Sequence, residues 1–493
     1  MRRSIVNSGL LMLLLGLFAL VSLPVNAQTP QATPPPPGPA PSVSFPTPVE
    51  KTLPNGLRVI VIERAGSPLL TAQLVIKNGA EVDPPELSGL SNMLGDLLSK
   101  GTTKRSATDI ADEIEALGGS IYSLTRWEST RVGVDVMSSK ARPAMEILSE
   151  VVRNPAFKAD EIERQRQLSI DDLTVELGDP GAIARYVASR VVFGDAPYGQ
   201  PLGGTPESLA RITRDDFVKY HSRWYRPDNS ILVIGGNIKP AAAFTLAQQF
   251  FGTWKKPMTP LPPLPPSNPV ASAAARVVVV DKPDAGQAAV LVTRTGIERN
   301  NPDYFRGLVT NSVLSGYSGR LNQEIRIKRG LSYGATSSLD TRRSVGPFIA
   351  TAQTKNISAA QVADLLLGEV SRLSSAPVPD AELVPRKAVV VGNFARNLET
   401  VAGLVNQVGT LAVYGISFDE INRYIGNVQT ITGGDVQKFA ASRLDARTTN
   451  IVVVGNAKDF LSDLKKKYPQ VEVIPVAELD LNTALLRKKQ ATN

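Results

Sequence analysis

The stretch Gly89–Thr102, GLSNMLGDLLSKGT, holds the residues whose types and spacing bear most directly on chemistry. Asn92 and Asp96 stand four apart, so a helix places two metal-capable side chains on one face, one turn from each other. Gly95 and Ser99 share that polar face, while Leu90, Met93, Leu94, Leu97 and Leu98 follow the i, i+3, i+4, i+7, i+8 spacing of a buried stripe. Taken alone, an amphipathic helix with an unexceptional polar face accounts for all of this. Other ligands are scarce. His221 is the chain's one histidine, and a lone imidazole does not make a zinc site. The absence of cysteine removes disulfides, thiolate zinc sites and cysteine nucleophiles together.

The elements that must position these residues come from a chain of 493 residues, too long for one core. Residues 1–27 read as a secretory signal: Arg2 and Arg3 open it, Leu10 to Val21 is almost wholly apolar, and Pro24-Val25-Asn26-Ala27 resembles a cleavage site. The apolar run is shorter than the roughly 20 residues needed to span a bilayer, so no membrane span is expected in the mature chain. An exported protein follows, periplasmic or secreted. The formal charge of +8 becomes +6 without Arg2 and Arg3, because residues 1–27 hold no acid. That excess is modest, and no basic run with interleaved aromatics is present, so no nucleic-acid partner is expected.

Residues 28–48 are proline-rich and poor in apolar side chains, and read as an extended tether. Strands are predicted at Leu57–Ile62 and Leu69–Lys77, helices at Ser106–Leu117, Ala141–Val152 and Lys158–Leu177, with a strand pair at Ser120–Thr125 and Ser129–Met137. Ala182–Phe193 and Arg214–Trp224 read as further helices before the strand Ser230–Ile234. Pro257–Pro269, PMTPLPPLPPSNP, is a stiff linker because proline fixes its backbone. The pattern then restarts. Ile212-Thr213, Asp216 and Lys219 recur as Ile431-Thr432, Asp435 and Lys438, and Ile231-Leu-Val-Ile-Gly235 recurs as Ile451-Val-Val-Val-Gly455, about 220 residues on. A period that long means tandem domains, not a solenoid. The expected fold class is α+β: two homologous α/β-sandwich domains, 49–256 and 270–470, joined by the linker 257–269 and followed by a tail, 471–493.

At this point the chain resembles a known family. The duplicated halves, the linker, GLSNMLGDLLSKGT, PLGGTPESLARITRDDFVKYHSRWYRPDNSILVIGGNI and IRIKRGLSYGATSSLD together look like the pitrilysin and insulinase type of zinc peptidase. These are inverted zincins, with His-x-x-Glu-His on a helix. In that motif two histidines ligate zinc, the glutamate takes a proton from metal-bound water, and a distal acid completes the site. The resemblance aligns Asn92 with the first histidine, Gly95 with the glutamate, Asp96 with the second histidine and Asp172 with the distal acid. An amide is a poor zinc ligand, and glycine has no base. Asn92, Asp96 and Asp172 supply fewer oxygens than a calcium or magnesium site usually recruits. His221, which the resemblance places away from the zinc site, is read as structural.

The resemblance also implies a role for Arg326 and Tyr333, which match the arginine and tyrosine that such peptidases present from the domain facing the zinc. A guanidinium fork can orient a peptide carbonyl, and a phenol can donate to the oxyanion at the scissile carbon. Some members of the family are split into two chains, one with the zinc motif and one with this pair. The expectation is therefore a zinc-free subunit, not an enzyme by itself. It would pair with a zinc-bearing homologous subunit around an unfolded peptide, with the zinc held by that partner. Two alternatives stand beside it: a non-catalytic peptide-binding or scaffold protein, and autonomous catalysis with an unusual metal.

Overall fold

A computed structural model describes residues 45–269 and 275–488. The expected signal and all but the last four residues of the expected tether lie outside the described residues. Phe45, assigned to that tether, is anchored: its backbone N–H donates to Asn422 Oδ1 at 2.9 Å.

The first half has six strands: β1 Val49–Thr52, β2 Arg58–Glu63, β3 Leu69–Ile76, β4 Ser120–Thr125, β5 Thr130–Met137 and β6 Ser230–Gly236, in the order β1-β2-β6-β3-β5-β4. The second has β7 Val277–Asp281, β8 Ala288–Thr295, β9 Ala335–Leu339, β10 Pro347–Thr354, β11 Asn450–Gly455 and β12 Val471–Pro475, in the order β12-β7-β11-β8-β10-β9. Five strands of each sheet correspond. In both, the strand read as a repeat lies inside the sheet, parallel to one neighbour and antiparallel to the other: β6 between β2 and β3, β11 between β7 and β8. The sixth strands differ in origin. β1 forms a hairpin with β2 through the Pro54-Asn55-Gly56 turn, whereas β12 arrives from the C-terminal end and pairs parallel to β7. The expected tail from residue 471 is thus part of the second sheet, because Ile474 is fully buried there.

The helices that matter here are α1 Leu90–Leu97, α2 Ala107–Ala116, α3 Ala141–Arg153, α4 Ala159–Glu176, α5 Pro180–Phe193, α6 Pro206–Arg211, α7 Arg214–Trp224 and α8 Pro240–Phe251 in the first half. The second supplies α9 Tyr304–Leu314, α10 Ala359–Ser375, α11 Asp380–Glu399, α12 Val401–Val413, α13 Asp419–Gln429 and α14 Gly433–Arg443. The repeated Thr-x-x-Asp has a local cause. Thr213 and Asp216 form a capping box at the start of α7, and Thr432 and Asp435 form the same box at α14.

Each half lends a helix to the other. α5 packs on β8 and β11 of the second sheet, and α12 packs on β3 and β6 of the first. Strand alternation explains how both faces are filled. Val59, Val61, Leu74 and Leu232 point into the core with α1, α3 and α8, while Ile60, Ile62, Val75 and Val233 join the core that contains α12. In the second sheet, Val279, Val290 and Val453 face that same large core, while Val278, Leu291 and Val452 meet Ile183, Val187 and Val191 of α5. The domain limits expected at 256 and 270 therefore divide the sequence but not the packing.

The segment after β12 extends this exchange. Arg190 Nε of α5 donates to the Leu481 carbonyl at 2.9 Å, Thr205 Oγ1 donates to Asn482 Oδ1 at 2.7 Å, and the Ala484 N–H donates to Asp195 Oδ1 at 2.7 Å. The proline-rich linker has no helix or strand over residues 257–269, and Arg226 holds its start by donating to the carbonyls of Thr259 and Pro257.

Candidate functional site

The geometry of the candidate site starts from how α1 begins. Gly89 has φ +92°, and a Cβ there would lie 2.8 Å from the Gly203 carbonyl oxygen, so neither its backbone nor its surroundings suit a side chain. The buried Asp83 carboxylate caps the helix start, accepting from the N–H groups of Gly89 and Ser91 and from Ser91 Oγ at 3.1–3.2 Å. Negative charge at a helix N-terminus is favourable. Burial pushes the Asp83 pKa up, and these three donors oppose the shift.

Fixed in this way, α1 packs on β4, β5, α4 and α7, with Leu90, Met93, Leu94 and Leu97 buried. Its other face carries Asn92 and Asp96, both half-buried. Burial raises the Asp96 pKa to about 6; Lys100 opposes that shift and the nearby Asp172 of α4 adds to it. The fold thus brings Asp96 and Asp172 into electrostatic range. Gln165, two turns before Asp172 on α4, donates from Nε2 to Asp96 Oδ2 at 3.3 Å. A helical spacing of seven was the available signal for Gln165, but an amide has no metal-site signature of its own.

The position aligned with the family's proton-accepting glutamate is closed. A Cβ on Gly95 would stand 2.6 Å from Thr125 Oγ1 and 3.1 Å from Ser123 Oγ, both on β4. Thr125 Oγ1 is itself engaged, donating to the Ser91 carbonyl at 3.2 Å. Among the described residues, no group of three or more His, Cys, Asp or Glu side chains is placed to hold a metal ion. The donors at the aligned positions are the Asn92 amide and the carboxylates of Asp96 and Asp172, of which Asp96 accepts an amide N–H, and Gly95 supplies none. They do not fit zinc.

His221 sits elsewhere, on α7. Its Nε2 lies 2.7 Å from the Val152 carbonyl, so Nε2 carries the proton; its ring stacks on Tyr225 at 4.8 Å and meets Phe157 edge-on. Burial lowers its pKa, favouring the neutral ring. It is a packed, hydrogen-bonded side chain.

Arg326 and Tyr333 both belong to the second half, seven residues apart in sequence. Arg326 is in a π-helical turn, Gln323–Ile327, whose Glu324 is held by Lys328 at 3.0 Å and Arg329 at 2.6 Å. Its guanidinium lies 5.5 Å from the Tyr317 ring centroid and has no ion pair among the described residues. Tyr333 is 89% exposed, on a turn where Ser332 Oγ donates to the Gly334 carbonyl and accepts from the Gly334 N–H. Neither residue hydrogen-bonds or ion-pairs with Asn92, Asp96 or Asp172.

A second polar cluster, absent from the sequence reading, joins the halves. Arg343, in the loop after β9, pairs with Glu81 at 2.6 Å, and its backbone N–H donates to Glu128 Oε1 at 2.6 Å. Glu128 also accepts from the hydroxyls of Tyr198 and Tyr414, the latter at 2.8 Å. Burial raises the Glu81 pKa to about 7, with Arg343 opposing. These residues are scattered over the chain at no regular spacing, so no local pattern could have grouped them.

Comparison with known proteins agrees with this architecture. Two family descriptions match, Insulinase (Peptidase family M16) over residues 58–180 and Peptidase M16 inactive domain over residues 211–388. An uncharacterized zinc protease of Streptomyces coelicolor is 26% identical over 412 residues, spanning 83% of this chain and 89% of that protein. Another from Rickettsia bellii is 26% identical over 409 residues, spanning 82% and 97%. Among solved structures, a peptidase M16 inactive domain from Pseudomonas fluorescens superposes with TM-score 0.76 at 22% identity, over 83% of this chain and 98% of that one. A protease from Helicobacter pylori gives TM-score 0.78 at 21% identity, over 83% and 100%. These structures share the fold of two sheet-containing α+β halves. With both halves matched in order, the chain belongs to the insulinase-type peptidase family M16.

Proposed function

We propose that this chain is an exported, zinc-free subunit that pairs with a zinc-bearing homologue to form a peptidase chamber. One observation carries the reading: the space for the family's glutamate at Gly95 is filled by Thr125 and Ser123, while Tyr333 is almost fully exposed on the second half. Restoring a base at Gly95 requires the Thr125 and Ser123 side chains of β4 to move aside. An exposed phenol, and an arginine without an ion pair among the described residues, suit presentation to another molecule.

In this reading the partner holds the zinc and activates water. Arg326 orients the peptide carbonyl and Tyr333 donates to the oxyanion as the tetrahedral intermediate forms. A chamber closed between two subunits admits an unfolded peptide and excludes a folded protein. Support for the pairing is chemical: half of a catalytic set is absent from α1, and the complementary half is displayed.

The test is reconstitution with the zinc-bearing homologue on an internally quenched peptide. Losing one transition-state donor typically lowers turnover about 100-fold or more, so Tyr333→Phe and Arg326→Ala are each expected to cut kcat by that order without loss of complex. If both variants leave the rate unchanged, the complementing role is wrong. Stoichiometric zinc and chelator-sensitive cleavage by this chain alone would overturn the zinc-free assignment.

A further inference from the structure

The two halves enclose a cavity of about 590 Å³ on the face of the first sheet away from α1. Side-chain alternation along β4 sets this face: Ser123 and Thr125 meet α1, whereas Leu124 points to the cavity beneath α12. Arg126 and Arg131, from the β4–β5 hairpin, stand on one wall; the loop after β9 supplies Asp340 and Arg342, and Tyr414 follows α12.

The charges in this cavity are unevenly matched. Arg342 is paired with Asp340 at 2.7 Å, and its guanidinium lies against the rings of Trp127 at 4.7 Å and Tyr198 at 4.6 Å, with Nη1 buried and lacking an acceptor. The Glu128 oxygens are engaged by two tyrosine hydroxyls and the Arg343 N–H. Arg131 has only neutral acceptors, Asn406 Oδ1 at 3.1 Å, the Asn406 carbonyl at 3.3 Å and Thr410 Oγ1 at 2.8 Å. Arg126 makes no ion pair among the described residues and repels Arg131. Neither guanidinium has an ion-pair partner among the described residues, which for the largely desolvated Arg131 costs free energy until an anion arrives.

We propose that this cavity binds a peptide carboxylate, with Arg126 and Arg131 as the anion-binding pair and Leu124, Trp127 and Val413 receiving the adjoining apolar side chain. The volume lies in the range of small-ligand sites. Asp340 and Glu128 nearby disfavour a dianion such as phosphate and leave room for a single negative charge. A carboxylate gives Arg its planar, two-point match. The site belongs to this chain alone, so its test is independent of any partner subunit.

The experiment is calorimetric titration of the full chain with three probes and inorganic phosphate. The probes are N-acetyl-alanyl-phenylalanine, its C-terminal amide, and N-acetyl-alanyl-glutamic acid α-amide. Binding of the first identifies a C-terminal carboxylate as the ligand; binding of the third identifies an acidic side chain; either supports the site. The phenylalanine amide is expected to bind at least about tenfold more weakly than the better carboxylate probe. Arg126→Gln and Arg131→Gln should each weaken that probe about tenfold. Arg131 also ties β5 to α12, whereas Arg126 is exposed and its replacement leaves the fold intact, so Arg126→Gln decides the matter if the other variant misfolds. The proposal is overturned if no carboxylate probe binds below roughly 10 mM, near the weak end of measurable affinity. It is equally overturned if the amide or phosphate binds as well as the carboxylates, or if Arg126→Gln changes nothing.

Discussion

Replacing Gly95 by alanine tests whether the polar face of α1 has room for the chemistry its relatives perform. On an open helix face, Gly→Ala stabilises by about 0.8–1 kcal/mol through backbone entropy. Here the new Cβ would meet Thr125 Oγ1 at 2.6 Å and Ser123 Oγ at 3.1 Å, so the Thr125 hydroxyl, which bonds the Ser91 carbonyl, must give way. Forcing an extra carbon into a filled core costs about 1–3 kcal/mol, so the net expectation is a loss of about 1 kcal/mol. Thr125→Ala removes the clashing oxygen together with its bond to Ser91, at a cost of about 1 kcal/mol. In that background Gly95→Ala should regain most of the helix-propensity gain, giving a coupling of about 2 kcal/mol between the two positions. Thermal unfolding followed by circular dichroism reads this as a fall of about 1–3 °C for the single Gly95 variant and a rise of similar size in the Thr125→Ala background. A single Gly95→Ala variant that melts higher than the parent by the full propensity gain would refute the reasoning. The same geometry predicts that Asn92→His, Gly95→Glu and Asp96→His, installed together, destabilise the parent and yield no peptidase, since a glutamate extends the clash and buries a charge.

Other consequences follow from the packing. Because α5 covers the second sheet and α12 the first, residues 45–256 or 275–488 expressed alone should be insoluble or molten, and co-expression should restore a folded complex; two independently cooperative, soluble halves would contradict the helix exchange. Glu81 is raised to about 7 in the folded chain from an ordinary value of 4.5, so its contribution to stability is full below about 4.5 and is lost as pH rises through about 7. The melting temperature should therefore fall across that window, and Glu81→Gln should flatten the dependence; an unchanged slope would show that Glu81 does not titrate there. His221→Ala loses the hydrogen bond to Val152 and the stack on Tyr225, which should cost about 1–3 kcal/mol in thermal stability. Zinc content and reconstituted peptidase rate should not change, and a change in either would reopen its reading as a ligand.

Much of the local structure was legible in the chain. The leucine stripe of α1, the Thr-x-x-Asp starts of α7 and α14 and the apolar runs of β6 and β11 are short-range patterns whose causes lie within a few residues. α8 was missed because PAAAFTLAQQFF is apolar on too many sides to show a clear period, and the tail was misread because β12 is only five residues long. Asn92, Gly95 and Asp96 could be singled out by alignment with a motif.

What the sequence by itself determined is the set of elements, their duplication and the identity of the residues at each aligned position, since propensity, capping and side-chain chemistry are local properties. The tertiary structure decided which helix covers which sheet, what fills the space beside Gly95 and which arginines are left without acids. Those outcomes depend on pairs such as Val191 with Val452, Gly95 with Thr125 and Arg131 with Asn406. Residues so paired carry no mark of it in their own neighbourhoods, because the free energy that joins them is gained only when distant segments pack.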